Sequence, residues 1–135
     1  METVIDFLKS LWKDISIGEA PEPIFDHIVD GSINRSLKWK ITFRVNRIRN
    51  AYPGSNFKFG KSGHPPTRAD FNDYRGKPYT KMYVLYESES EKNVSGMEVH
   101  YIQKYQHLEN NDNKRVTDKD QMTSYDGKYY MYMVV

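Results

Sequence analysis

The chain of 135 residues contains no cysteine. Without thiols it can form neither a disulfide framework nor a thiolate metal site. Any bound metal ion must therefore use oxygen or imidazole ligands, which favours Mg²⁺ or Mn²⁺ over structural zinc. With 38% hydrophobic residues and the length of a single domain, the chain can bury a core without such cross-links.

Long hydrophobic runs are also missing. The N-terminal segment carries acids at Glu2 and Asp6 and only short apolar stretches, so it fits neither a secretory signal nor a membrane-spanning helix. We therefore expect an intracellular protein, cytoplasmic or nuclear, that is not secreted and has no membrane partner.

The excess of positive charge is small, at +2, but it is unevenly distributed. Residues 35–81 contain twelve lysines and arginines against two aspartates, a balance of +10 that leaves −8 for the rest. A basic middle segment is typical of proteins that bind polyanions such as DNA. The alternative is an ordinary basic surface in contact with water.

Hydrophobic spacing predicts helices near the N-terminus. Apolar side chains recur every three or four positions at Ile5, Leu8, Leu11, Trp12 and Ile15. This spacing predicts an amphipathic helix over residues 2–16. A shorter helix is predicted from about Pro23 to Gly31. We therefore divide the chain into a helical extension, residues 1–35, packed on a core domain, residues 36–135.

Alternation of apolar and polar residues predicts a strand over residues 38–48. One face would carry Trp39, Ile41, Phe43 and Val45, and the other Lys38, Lys40, Thr42 and Arg44. Turn-forming residues then lead to a short second strand at 57–59. We expect these two strands to form an antiparallel hairpin.

Four further elements complete the predicted core. A helix is expected from about Pro66 to Tyr74 and a central strand at 79–87. A long helix should begin at a capping box formed by Ser88 and Glu91 and run to about Leu108. After a polar loop, a last strand is expected at 128–135. The predicted fold class is α+β, with a small antiparallel sheet of three or more strands flanked by helices.

Two side chains stand out as candidates for chemistry. Arg68 follows Gly60 of the Phe-Lys-Phe-Gly-Lys-Ser segment by eight residues, so that a strand, a tight turn and a helix would present an arginine suited to holding a phosphate. Glu98 falls within the apolar stripe of the long helix, where a carboxylate must be paired or metal-bound because burying an isolated charge is costly. The alternatives are a surface role for Arg68 and a structural ion pair or hydrogen bond for Glu98.

These segments resemble the GIY-YIG nuclease superfamily, whose small domain is a three-stranded antiparallel sheet flanked by helices. The resemblance covers about residues 38–115, with Ile41-Thr42-Phe43 in the place of the first signature tripeptide and Lys58-Phe59-Gly60 in that of the second. Both signature tyrosines are replaced, by Phe43 and Lys58. The spacing from Gly60 to Arg68 agrees with the family pattern. Further along, Glu98 fits the metal-binding glutamate, and Asn113, or less closely Asn110, fits the terminal asparagine.

The resemblance implies a divalent-metal-dependent endonuclease that hydrolyses DNA phosphodiester bonds with an in-line water. Glu98 would anchor Mg²⁺ or Mn²⁺, and Arg68 would neutralise charge on the phosphate oxygens. Lys58 and Lys61 would hold the scissile strand, or Lys58 would orient the water. His64, Tyr52 or Tyr74 would handle the proton, although a loop histidine is more often a polar surface residue. We expect Arg68, Glu98 and Lys58 to converge on one concave surface.

The same pattern of charge predicts a set of further contacts with DNA. They are Lys38, Lys40, Arg44, Lys61, Arg75, Lys77 and Asn113. Two alternatives to an endonuclease stay open. One is a catalytically degenerate relative that binds nucleic acid without cutting it. The other is a protein interaction module whose tyrosine-rich C-terminal strand pairs with a partner by edge addition.

Overall fold

In the computed structural model, strands and helices follow one another along residues 19–114 and 122–135, which are described together with Val4. The elements are β1 (Glu22–Ile24), α1 (Arg35–Ala51), β2 (Lys58–Ser62), α2 (Pro65–Ala69), β3 (Lys81–Ser88), α3 (Glu91–Lys104) and β4 (Tyr129–Val134). Apart from Val4, the predicted helix over residues 2–16 lies outside the described residues. No helix in the described part of the chain is long and apolar enough to cross a membrane.

The four strands form one sheet in the order β1-β3-β4-β2. Strand β4 pairs antiparallel with both β2 and β3, whereas β1 joins the far side of β3 in parallel. The predicted α+β class is therefore confirmed, but the sheet is mixed rather than purely antiparallel. The prediction of a helix from Pro23 was wrong, because residues 22–24 of the expected helical extension are the parallel edge strand.

Strand β4 lies at the centre of the sheet, and both of its faces are covered. Tyr130, Tyr132 and Val134 pack on one side, while Met131 and Met133 pack on the other. A continuous apolar run is the pattern expected of a strand buried on both faces. The last strand was thus predicted correctly. The idea that it adds a partner strand at its edge was wrong, because β2 and β3 already occupy its two edges.

Helix α1 replaces the strand that alternation predicted over residues 38–48, and that prediction was wrong. The Asn34 side chain caps the helix by accepting a hydrogen bond from the Leu37 amide at 2.8 Å. The buried stripe has helical spacing and consists of Leu37, Ile41, Val45 and Ile48. The predicted hairpin is consequently absent from the described sheet, and β2 pairs with β4 instead.

Helix α3 begins two residues later than the sequence suggested. Ser90 caps it by accepting a hydrogen bond from the Asn93 amide at 3.1 Å, whereas the Ser88 hydroxyl accepts from the Ser90 amide. Helix α2 is a single short turn that ends at Ala69, and the chain continues through turns to Tyr74. Strand β3 agrees with its prediction.

The two faces of the sheet carry separate clusters of buried side chains. Helices α1 and α3 cover one face, where they pack against Phe59 and Met133. The segment from α2 to Tyr74 packs on the other face, against Tyr132. Because β2 is an edge strand, groups from both layers can meet around it.

Candidate functional site

A cavity of about 1180 Å³ opens around the edge strand β2. Its walls come from β2, from the segment containing α2, from α3, and from residues that follow α3. Seven of the predicted site residues line it: Lys58, Lys61, His64, Arg68, Tyr74, Glu98 and Asn113. The arginine and the glutamate that the sequence singled out therefore share one solvent-reachable surface.

Arg68 is held in a fixed orientation at the cavity wall. Its two terminal nitrogens each donate a hydrogen bond of 2.7 Å to the Asp73 carboxylate. The guanidinium also lies over two rings, 4.4 Å from the centroid of Tyr74 and 5.1 Å from that of Phe71. Such a clamped, planar cation is a pre-organised partner for a phosphate, but Asp73 already occupies one of its edges.

The Arg68 and Asp73 side chains shift one another's pKa values. Burial lowers the pKa of Arg68, yet the Asp73 hydrogen bond and nearby charges outweigh it and raise this pKa above its usual value. The same hydrogen bond holds the pKa of Asp73 below 3.8, with Lys58 contributing to the shift. At neutral pH the two groups form an ion pair, and the positive charge of Lys58 helps to keep the Asp73 carboxyl ionised.

Lys58 and Lys61 place ammonium groups on opposite faces of β2. Lys58 Nζ lies 5.6 Å from the centroid of the Tyr74 ring, beside Arg68. Lys61 Nζ donates a hydrogen bond of 3.0 Å to Ser95 Oγ on α3. Alternation along a strand produces this arrangement, since successive side chains point to opposite faces. The edge strand thus carries positive charge into both sides of the cavity.

Glu98 enters the cavity from helix α3. It lies on the buried stripe of that helix and is only 7% exposed. Burial, and to a smaller extent the charge of Glu98, raises the pKa values of Tyr74 and Tyr132. The sequence prediction of an inward carboxylate is therefore confirmed as to position.

Glycine at position 60 lets the Tyr132 ring lie directly against strand β2. A Cβ atom there would lie 2.3 Å from the Tyr132 hydroxyl oxygen, closer than any side chain tolerates. That hydroxyl is hydrogen-bonded to the Tyr74 hydroxyl at 2.6 Å. Burial is the main cause that raises the pKa of each tyrosine, so both remain protonated at neutral pH. Tyr74 is consequently suited to donate a hydrogen bond rather than to act as a base.

His64 lies at the rim of the cavity, at the start of α2. Its Nδ1 shares a hydrogen bond of 2.8 Å with Thr67 Oγ1. The ring stacks on Tyr125, with centroids 4.6 Å apart. These two contacts fix the plane of the ring at the rim of the cavity. Neither Thr67 nor Tyr125 was predicted as a site residue.

Asn113 has a structural role that its predicted contact with DNA did not anticipate. Its side chain accepts a hydrogen bond from the Phe59 amide at 2.7 Å and donates one to the Phe59 carbonyl at 3.0 Å. The amide therefore satisfies the free edge of β2 in the way that a neighbouring strand would. Asn113 lines the cavity, but both the oxygen and the nitrogen of its side-chain amide are already hydrogen-bonded to Phe59.

Several predicted residues do not line this cavity. Tyr52 hydrogen-bonds Tyr83 at 2.8 Å and packs with the cluster under α1, away from the residues with which it was predicted to act in proton transfer. Lys38, Lys40 and Arg44 lie on helix α1 rather than on a strand. The remaining two are Arg75, which pairs with Asp70 at 3.0 Å, and the exposed Lys77.

Two contributors were missed by the sequence reasoning. Asp73 gave no signal, because an aspartate five residues after an arginine is common in a turn. Tyr132 could have been found from Gly60, since an isolated glycine within a strand often marks the close approach of another group. The partner of that glycine, however, depends on the pairing of β2 with β4, which local pattern does not reveal.

Three carboxylates line the cavity, those of Asp73, Asp112 and Glu98. Asp73 is engaged by Arg68, and Asp112 accepts hydrogen bonds from Tyr79 and from Asn56. Within the described residues no group of three or more acidic, histidine or cysteine side chains is arranged to hold an ion. Glu98 is therefore not part of a preformed cluster of ligands among these residues, and an ion beside it would take its other ligands from water or a substrate phosphate.

No family model, curated protein or solved structure matches the chain.

Proposed function

We propose that the protein is an endonuclease that hydrolyses DNA phosphodiester bonds at the cavity around β2, with Mg²⁺ or Mn²⁺ at Glu98. The observation that supports this function is the convergence of Lys58, Lys61, Arg68 and Glu98 on one cavity. The lining carries the cations Lys58, Lys61, Arg68 and Lys114 and the carboxylates Asp73, Asp112 and Glu98. This small excess of positive charge suits a phosphodiester better than a neutral substrate. The cavity, rather than the GIY-YIG resemblance, supports the proposal, because the segment aligned with the first signature tripeptide is helical.

Each side chain has a specific role in this proposal. Lys58 and Lys61 hold the phosphates of the strand from the two faces of β2. Arg68 stabilises the charge that builds on the non-bridging oxygens as the water attacks. Asp73 holds the Arg68 guanidinium in the required orientation. His64 Nε2 exchanges the proton of the attacking water or the leaving oxygen. A divalent ion at Glu98 would supply charge neutralisation and lower the pKa of a bound water.

The test is the nicking of supercoiled plasmid in Mg²⁺ or Mn²⁺, with EDTA as the blank. Removing Arg68 by Arg68→Ala should slow nicking by roughly 10²-fold or more, because its role is largest in the transition state. Glu98→Gln should abolish metal-dependent nicking while keeping the size of the side chain. The control is Lys128→Ala, which removes the cation of a different ion pair, 3.5 Å from Glu87 and away from the cavity.

A catalytically degenerate DNA-binding protein is the second candidate. The pairing of Arg68 with Asp73 favours it, since a guanidinium already satisfied by a carboxylate is less available to a phosphate. Retention of DNA without nicking in either metal would support this function. If nicking occurs but survives both substitutions at the rate of Lys128→Ala, the cavity is not the catalytic site.

A further inference from the structure

Helix α1 exposes a stacked aromatic pair on its outward face. Trp39 is 67% exposed and Phe43, one turn later, is 50% exposed. Their ring centroids lie 5.7 Å apart with planes inclined by 16°. Arg47, a further turn along, holds its guanidinium carbon 6.0 Å from the Phe43 centroid. These rings add nothing to the core, because the helix buries a different stripe, and they therefore form a row that is available to a ligand.

The same helix concentrates positive charge. It contains six cations and no acid, namely Arg35, Lys38, Lys40, Arg44, Arg47 and Arg49. Over the described ranges, 19–114 and 122–135, none of the six takes part in a salt bridge. Arg35 and Lys38 even lie in the first turns, where the helix dipole favours acids. An arrangement that is locally unfavourable for the helix indicates selection for a partner of negative charge.

Rings and cations share one groove. Its volume is about 490 Å³, and it is lined by Trp39, Lys40, Phe43, Arg44, Arg47 and His27, among others. Arg44 donates a hydrogen bond to the His27 carbonyl, which ties the loop after β1 to the helix. The groove therefore has a fixed wall, with Lys40 and Arg47 flanking the aromatic row.

We propose that this groove binds unpaired nucleotides of a nucleic acid strand. Bases would stack on Trp39 and Phe43, and Lys40 and Arg47 would contact the phosphates. Aromatic platforms within a basic groove are the means by which proteins bind single strands, since every base offers a face for stacking. The groove lies on helix α1, apart from the cavity at β2, and its binding does not depend on cleavage there.

The observations favour this partner over two others. A second copy of the chain would bring the same cations against themselves in a symmetric interface, which is repulsive. An anionic membrane would need a broad apolar stripe to enter the lipid, whereas the apolar stripe of α1 faces the core. Two exposed rings flanked by cations instead offer stacking faces for bases beside positive charge for phosphates.

Fluorescence of Trp39 gives a direct readout. The chain has two tryptophans, so a Trp12→Phe variant makes Trp39 the sole reporter. In EDTA, which prevents metal-dependent cleavage, we expect an oligothymidylate of about 12 nucleotides to quench this emission, because a stacked base contacts the indole. An abasic oligonucleotide of equal length carries the same phosphates and should bind with much less quenching.

Affinities measured with labelled oligonucleotides then separate stacking from charge. The double variant Trp39→Ala/Phe43→Ala should lose at least about tenfold in affinity for oligothymidylate and keep its affinity for the abasic strand. Trp39→Phe should retain most of the affinity because it keeps a ring. Phe25→Ala, which removes an aromatic side chain that is 42% exposed elsewhere, is the matched control. Circular dichroism checks that each variant keeps its helix content.

Three results would overturn the inference. Equal affinities for abasic and base-bearing strands, unchanged by the double variant, would reduce the groove to a basic surface. A larger response of Trp39 to vesicles of phosphatidylcholine and phosphatidylserine would assign it to membranes. Self-association in the ultracentrifuge that the double variant abolishes would assign it to a second copy. Plasmid nicking in any of these cases would leave the proposed nuclease standing, because the assays report on different surfaces.

Discussion

At the scale of single residues, Asp73 decides how Arg68 can act. The bidentate pair fixes the guanidinium, but it also sets a carboxylate against any phosphate that approaches. Asp73 is 46% exposed on its side chain, so water screens the pair and its contribution to stability is modest. A half-exposed carboxylate is better placed to yield to a substrate phosphate than a buried one.

The pH dependence of stability tests this pair. Because Arg68 holds the pKa of Asp73 below its ordinary 3.8, the stabilisation is fully present above pH 3.8 and is lost as the pH falls through the lower folded-state value. Asp73→Asn should therefore unfold at a lower temperature than the unmodified protein at neutral pH. This difference should shrink as the pH is taken below 3.8. Asp70→Asn, which opens the single hydrogen bond from Arg75, is the control and should show a smaller gap.

A gap between the Asp73→Asn variant and the unmodified protein that stays constant down to the acid limit would contradict the assignment. It would mean that the asparagine acts through packing rather than through the removal of the charge. Thermal melts followed by circular dichroism over this pH range supply the measurement.

At the scale of the elements, the N-terminal cap of α3 is Ser90, whereas the sequence pattern suggested Ser88. Ser90 accepts from the Asn93 amide, so Ser90→Ala should lower the free energy of unfolding by about 1 kcal/mol. Ser90→Asp keeps an accepting oxygen next to the helix dipole and should be near neutral. Chemical denaturation of the unmodified protein, Ser90→Ala, Ser90→Asp and Ser88→Ala measures the differences. A larger loss for Ser88→Ala than for Ser90→Ala would instead place the cap where the sequence pattern first suggested it.

Local pattern predicted β3, β4 and α3 because their own residues decide their conformation. The prediction for residues 38–48 failed for a physical reason. Ile41 and Val45 belong both to an alternating set of apolar residues and to a helical stripe with Leu37 and Ile48. What decides between them is which set the rest of the molecule buries. Strand β1 was not predicted because its three residues, 22–24, acquire their conformation from pairing with β3, and no local pattern indicates that pairing.

At the scale of the whole molecule, Arg68 and Glu98 line one cavity as expected, although part of the predicted fold was wrong. Arg68 and Glu98 lie on α2 and α3, two helices that begin within two residues of their predicted starts. Both side chains line the cavity although the predicted hairpin is absent. Lys38, Lys40 and Arg44, which were predicted on a first strand, lie on helix α1 outside its buried stripe. One basic segment of sequence thus became two separate surfaces, a cavity at the β2 edge and a groove beside His27 and Tyr83.

Salt dependence of DNA binding separates these two surfaces. If both bind phosphates, Lys40→Gln/Arg47→Gln should reduce the slope of log affinity against log salt by about 2, roughly one for each phosphate that is no longer neutralised. The rate of nicking at saturating protein should be unchanged, because neither residue touches the cavity. The matched control is Lys81→Gln/Lys128→Gln, which removes the same charge from cations already paired with Glu22 and Glu87. An equal change of slope in this control would mean that net charge alone, rather than the face of α1, governs DNA binding.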